Sequence, residues 1–269
     1  MSKELLGSLE LNRIYQMNCL DGMKLLPNGT SEIGIDLTVT SPPYDDLRKY
    51  KGYSFEFESI AKELYRITKD GGVVVWIVGD QTMKGSESGT SFKQALYFKE
   101  IGFNLHDTMI YRKLQYRPLT HNRYEQEFEY MFILSKGKPK IFNPIMIPCK
   151  KEAKKDSFLV RGVNGEDEKR IIQRKTHRIK GNVFEYNTGN NLSTKDKIAF
   201  KHPAIFPERL AEDHIASWSN EGDIILDCFM GSGTTAKMAT LNKRKWLGFE
   251  TSREYIEIAN KRLDDLETV

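Results

Sequence analysis

The hydrophobic positions of this 269-residue chain change period along its length. Val73 to Val78, VVVWIV, is apolar throughout and predicts a strand covered on both faces. Ile35 to Thr40, IDLTVT, alternates and is rich in β-branched residues, which predicts a second strand. Further strands are expected within Ile14 to Met17, around Asp107 to Tyr111, and at Glu127–Ser135, Ile224–Leu226 and Trp246–Phe249. Between them lie stretches of helical period. Phe55 to Thr68 places Ile60, Leu64 and Ile67 on one face and ends on Lys69-Asp70-Gly71-Gly72, a helix stop. Helices are also predicted for Ser91–Ile101, for Phe206–Ser217 and from Ala236 onward. Strand and helix in alternation imply an α/β fold, a mostly parallel sheet with helices on both faces.

The length suits one large α/β domain with an insertion. No apolar run approaches the roughly 18 residues that span a bilayer, and MSKELLGSLE is no signal peptide, so a cytoplasmic chain without membrane contact is expected. Cys19, Cys149 and Cys228 are too few and scattered for a disulfide framework or a zinc site, and are expected to be reduced thiols with no bound metal.

Charge changes the picture more. Between Lys136 and Lys180 there are 14 Lys and Arg against 5 Asp and Glu, and the rest of the chain is net negative. A basic module, residues 136–195, is therefore expected between the first part of the main domain, 1–135, and its last part, 196–269. Few apolar positions and many turn residues give this module no independent core. It suits either a polyanionic partner or a solvated charged loop. Lys113 to Glu125, basic and aromatic, suits a loop that contacts nucleic acid.

Two stretches carry candidate chemistry. Asp227-Cys228-Phe229-Met230-Gly231-Ser232-Gly233-Thr234-Thr235 follows an apolar strand and precedes a helix, the arrangement that offers backbone N–H groups to a nucleotide-like ligand. It lacks the third glycine of the dinucleotide fingerprint and has no phosphate-binding lysine, which favours a nucleoside-type ligand. The next strand ends on Glu250, close to where such folds place an acid on a ribose diol. Ser41-Pro42-Pro43-Tyr44 follows the strand that ends at Thr40; its two prolines stop the ladder and stiffen a loop bearing a hydroxyl, carbonyls and a ring. Asp21, just past the first strand, suits either a cofactor contact or a helix N-cap. His121 as a general base, and Cys149 of Pro148-Cys149 as a nucleophile, lack the partners those roles need.

TSPPY followed far downstream by DCFMGSGTT resembles the β class of S-adenosylmethionine-dependent DNA amino-methyltransferases, whose motifs are [DNS]-PP-[YFW] and D-x-F-x-G-x-G-T in that order. The resemblance runs from Asn12 to about Leu263, apart from the basic middle. It implies a Rossmann-like methyltransferase fold with an antiparallel edge hairpin, 136–195 as a small target-recognition insert, and S-adenosylmethionine as cofactor. Double-stranded DNA is the implied partner, and a homodimer is left open. Ser41, Pro42, Pro43 and Tyr44 become the implied catalytic residues. Asp21, Thr40, Lys201, His202, Pro203, Asp227, Phe229, Gly231, Ser232, Gly233, Thr234 and Glu250 become the implied cofactor residues, with Lys201 to Pro203 alternatively a turn before the Pro207 helix. Ser at the first catalytic position is typical of cytosine-N4 enzymes of a restriction-modification or phage type. Adenine-N6 transfer, a non-catalytic DNA-binding homologue and an RNA or small-molecule methyltransferase are the alternatives.

Overall fold

The computed structural model describes residues 3–43, 55–116, 122–149, 155–161, 165–173, 175–189 and 191–267. Eight strands build the main sheet: β1 (Arg13–Gln16), β2 (Ile35–Thr40), β3 (Thr68–Val78), β4 (Asn104–Lys113), β5 (Phe128–Ser135), β6 (Val183–Tyr186), β7 (Ile224–Asp227) and β8 (Lys245–Glu250). Their order across the sheet is β6-β4-β5-β3-β2-β7-β8-β1. Only β5 runs against the others. The α/β class and mostly parallel sheet expected from the sequence are therefore observed.

Among the described residues, six α-helices flank the sheet: α1 (Cys19–Lys24), α2 (Phe57–Ile67), α3 (Thr90–Glu100), α4 (Glu208–Trp218), α5 (Thr234–Leu241) and α6 (Arg253–Glu267). The expected helical spacing appears in α2, whose Ile60, Ala61, Leu64 and Ile67 are buried. A fully buried Ile or Leu contributes roughly 1.5–3 kcal/mol, so this stripe alone suffices to hold the helix on the sheet. Alternate β3 residues, Val74, Trp76 and Val78, join that core with Phe98 of α3. On the other side α4 and α5 pack on each other, α4 against β2 and α5 against β7 and β8.

Two details differ from the sequence reading. Lys69 to Gly72 do end α2, but they belong to β3: Ile35 pairs with Thr68 and Leu37 with Val73, so the four residues form a bulge, with Gly71 at φ +83°. The hairpin β4–β5 is not the edge, because β6 pairs parallel to β4 and closes it. Val183-Phe184-Glu185-Tyr186 alternates exposed and buried, the period-2 signal of a strand, inside a stretch whose overall charge masked it.

The chain divides into two compact units. The larger comprises 1–143 and 182–269, and the smaller Pro144–Gly181, narrower than the module 136–195 drawn from charge. The smaller unit has two antiparallel ribbons, Met146–Pro148 with His177–Ile179 and Lys155–Arg161 with Asp167–Gln173. Met146, Phe158, Leu159 and Ile179 stay exposed on them.

Candidate active site

In an open α/β sheet, ligands bind beyond the carboxyl ends of the strands, where the strand order reverses. Here that reversal lies between β2 and β7, which pair in parallel through Leu37–Ile225 and Thr38–Leu226. The loops leaving them are therefore neighbours although 187 residues separate them: the Thr40 hydroxyl donates to Asp227 Oδ1 at 2.7 Å. A cleft of about 1840 Å³ opens above this junction, lined among others by Ser41, Pro42, Pro43, Phe229, Gly231 and Glu250.

Asp227 anchors both loops from below. It is fully buried, and its Oδ1 also accepts the Phe229 N–H at 3.0 Å. Cys228 Sγ donates to Thr40 Oγ1 at 3.7 Å, and the Thr235 hydroxyl to the Val39 carbonyl at 3.1 Å. Thr40, Asp227 and Gly233 thus lie beneath the cleft and not on its wall. Burial pushes the Asp227 carboxyl up to about 6, against the hydrogen bonds from Thr40, Thr235 and Phe229. The folded state therefore favours the protonated form. That contribution, about 3 kcal/mol at most, is complete below the unfolded value of 3.8 and is lost as pH rises through about 6. Asp227→Asn is expected to remove this dependence, so that its melting temperature relative to wild type climbs between pH 4 and 7. Parallel melting curves across that range would refute the role.

The Gly231–Gly233 turn needs its glycines. Gly231 (φ +50°) and Gly233 (φ +79°) occupy left-handed backbone. A Cβ on Gly231 would come within 2.9 Å of His202 Nε2, and one on Gly233 within 2.7 Å of Ala259 Cβ. Glu250 closes the turn: its Oε2 accepts the Gly231 N–H at 2.9 Å and its Oε1 the N–H groups of Thr251 and Ser252 at 2.8 and 2.9 Å. His202 is buried, accepts the Ala204 N–H on Nδ1 at 3.1 Å and packs edge-on to Tyr255 at 4.2 Å. With Nδ1 accepting, the proton of a neutral ring sits on Nε2, beside Gly231.

The remaining expected residues are placed unequally. His202, Pro203, Ser232 and Thr234 line the cleft. Lys201 is exposed and does not. Asp21 sits on the solvent side of α1, 71% exposed and ion-paired with Lys24. Nor does Asp21 cap that helix: Asn18 does, accepting the Leu20 N–H at 2.9 Å, and Asn18, Cys19 and Leu20 line the cleft instead. The signal was one turn earlier, an Asn directly after the strand. Tyr44 and His121 lie outside the described residues. Cys149 belongs to the smaller unit. Gln81, beyond the end of β3, lines the cleft, and its Oε1 is buried without a hydrogen-bond partner among the described residues. Composition gave no hint of it.

Burial pushes the Cys19 thiol up to about 12 and the Cys228 thiol well above its usual value. Both cleft cysteines are protonated near neutrality and make poor nucleophiles. Among the described residues no group of three or more His, Cys, Asp or Glu could hold a metal ion, and no helix is long and apolar enough to cross a membrane. The cleft suits an adenosyl ligand: Gly231 presents backbone at its lining, a carboxylate stands at the next strand end, and Lys237 is turned away onto Asp196 and Glu208.

A family model described as DNA methylase, of the N6/N4 methyltransferase type, matches residues 35–261. The orphan methyltransferase M.BamHII of Bacillus amyloliquefaciens is 60% identical over 235 residues, which are 85% of this chain and 88% of that protein. Among solved structures, the PvuII DNA methyltransferase (cytosine-N4-specific) superposes with a TM-score of 0.68 at 22% identity, over 93% of this chain and 85% of that one. The complex of M1.HpyAVI with S-adenosylmethionine does so with 0.60 at 22%, over 93% and 98%. The chain belongs to the N6/N4 amino-methyltransferase family of DNA methylases, enzymes of restriction-modification type that act on DNA with S-adenosylmethionine as cofactor.

Proposed function

We propose that the chain methylates the exocyclic N4 amine of cytosine in double-stranded DNA, with the acceptor base extruded onto Ser41 to Tyr44. The observation that carries this reading is the Thr40–Asp227 bond at 2.7 Å, which brings the two motif loops to one cleft. When bound, the cofactor supplies a methyl group on a sulfonium centre. Gly231, Ser232 and Thr234 hold it against the turn, Phe229 packs along it, and Glu250 takes its ribose hydroxyls on lone pairs its backbone contacts leave free. Pro203 and His202 flank its methionine end.

An exocyclic amine conjugated to a base ring is a weak nucleophile. Donation of its two N–H groups to Ser41 Oγ and the Pro42 carbonyl localises the nitrogen lone pair and aims it at the methyl group. Pro42 is buried and two prolines fix the loop, so this alignment costs little reorganisation. Tyr44 stacks on the extruded base. No covalent enzyme intermediate is needed, in keeping with the raised cleft thiols. The smaller unit is assigned to target recognition, its surrounding excess of Lys and Arg meeting phosphates. Ser41 favours cytosine over adenine because Asp or Asn is the usual first residue in adenine-N6 relatives.

The test is to methylate genomic DNA with tritiated cofactor, digest it and separate the nucleosides. Label in N4-methylcytosine is expected. Label only in N6-methyladenine overturns the base assignment, and no label in DNA overturns the function.

A further inference from the structure

The cofactor turn rests on a partly buried charge cluster that neither motif contains. Arg262, on the last helix α6, has a side chain with no solvent exposure. Its Nη1 donates to the Ser232 carbonyl at 2.6 Å and to the hydroxyls of Ser232 and Thr234 at 3.2 Å each. On the other side its Nε donates to Asp196 Oδ2 at 2.9 Å and its Nη2 to Glu208 Oε1 at 2.7 Å. Lys237 bridges the same two carboxylates, at 2.7 Å to each. Two cations thus meet two anions. Burial would raise the Asp196 carboxyl, but the hydrogen bonds from Lys237 and Arg262 outweigh it and hold it below the usual carboxylate range.

The contacts join two segments that both line the cleft. Ser232 and Thr234 are on the glycine turn, while Asp196 and Glu208 bracket the segment whose His202, Pro203 and Phe206 also line the cleft, His202 lying against Gly231. That bracket is itself tied together: the Thr194 hydroxyl donates to Glu208 Oε1 at 2.7 Å and the Glu208 N–H to the Ser193 carbonyl at 2.9 Å. Holding the Ser232 carbonyl also orients the peptide whose N–H, on Gly233, closes the turn onto Met230 O at 2.9 Å. One helical turn before Arg262, Ala259 packs against Gly233.

We propose that Arg262 is a positioning residue for the cofactor: it latches the glycine turn to the 196–208 segment and so fixes the position of these two lining segments of the S-adenosylmethionine cleft without touching the ligand. The role needs a planar fork with donors on two sides, which lysine cannot reproduce. Breaking the latch lets the two segments shift against each other, so cofactor affinity falls while the reacting groups at Ser41 and Pro42 keep their geometry.

The test uses Arg262→Lys, Arg262→Met, Arg262→Ala and Glu208→Gln, with Ile258→Ala, a buried apolar neighbour on α6, as a control for simple destabilisation. Titration calorimetry with S-adenosylmethionine needs no DNA, so its result stands apart from the base assignment. The Arg262 variants are expected to weaken cofactor binding about tenfold or more, with kcat at saturating cofactor within about threefold of wild type. Glu208→Gln should shift the same constant in the same direction, and Ile258→Ala should lower the melting temperature while leaving it unchanged. Millimolar methylguanidinium should restore part of the affinity in Arg262→Ala. Unaltered binding in folded Arg262→Lys, or equal weakening in Ile258→Ala, overturns the proposal. If Arg262→Met does not fold, Arg262→Lys and Glu208→Gln decide it.

Discussion

Replacing Gly233 by valine is expected to abolish measurable S-adenosylmethionine binding, a loss of about a hundredfold or more. Two independent costs meet at this position. Its φ of +79° is open to glycine and is a genuine outlier for a β-branched residue. Its missing Cβ is also a space filled by α6, since the atom would lie 2.7 Å from Ala259 Cβ and 3.2 Å from Ala259 Cα. The turn cannot move away, because Gly233 N–H bonds Met230 O and Ser232 O is held by Arg262. The double variant Gly233→Ala/Ala259→Gly separates the terms: it relieves the Cβ contact and keeps the backbone strain, so it should recover part of the affinity. Calorimetric binding of Gly233→Val equal to wild type would mean that the cofactor does not use this turn.

Ser41→Ala is expected to lower kcat for DNA methylation about 10² to 10³-fold while leaving S-adenosylmethionine affinity within about twofold. The split follows from geometry. Ser41 leaves β2 and the cofactor turn leaves β7, and the two are separate loops joined beneath the cleft by the Thr40–Asp227 hydrogen bond. Loss of the hydroxyl removes one acceptor for the amine and leaves the proline loop and that hydrogen bond intact. Ser41→Asp is the informative companion, because a carboxylate supplies an acceptor to either amine. An unchanged kcat in Ser41→Ala, with methylated product of the same identity, would remove Ser41 from the mechanism.

Much of this was legible before the structure because the fold writes itself in period and punctuation. VVVWIV could only be a covered strand, and Pro42-Pro43 could only end one. The adjacency of Ser41 and Gly231 was not legible from either motif alone; it required the sheet order, which pairs β2 with β7 across 187 residues. What sequence missed has physical reasons. Val183 to Tyr186 is an edge strand hidden by charged neighbours. Asp21 points to solvent because the short helix begins at Cys19, which leaves Asn18 and Leu20 at the cleft and turns Asp21 outward. Arg262 reads as one more charge on an amphipathic helix, and only tertiary packing buries it against the cofactor turn. Gln81 was missed because its mark is a buried oxygen that has no hydrogen-bond partner among the described residues, which no residue pattern encodes.

The central claim is that the two motif loops hold one reacting pair between them. The position of the cofactor in a crystal of this protein with S-adenosylmethionine tests it most directly. The ribose is expected at Glu250, the methionine end beside His202 and Pro203, and the methyl group facing the Pro42 carbonyl with room for an amine about 3–3.5 Å away. A methyl group turned away from Ser41 and Pro42, or a ribose remote from Glu250, would contradict it.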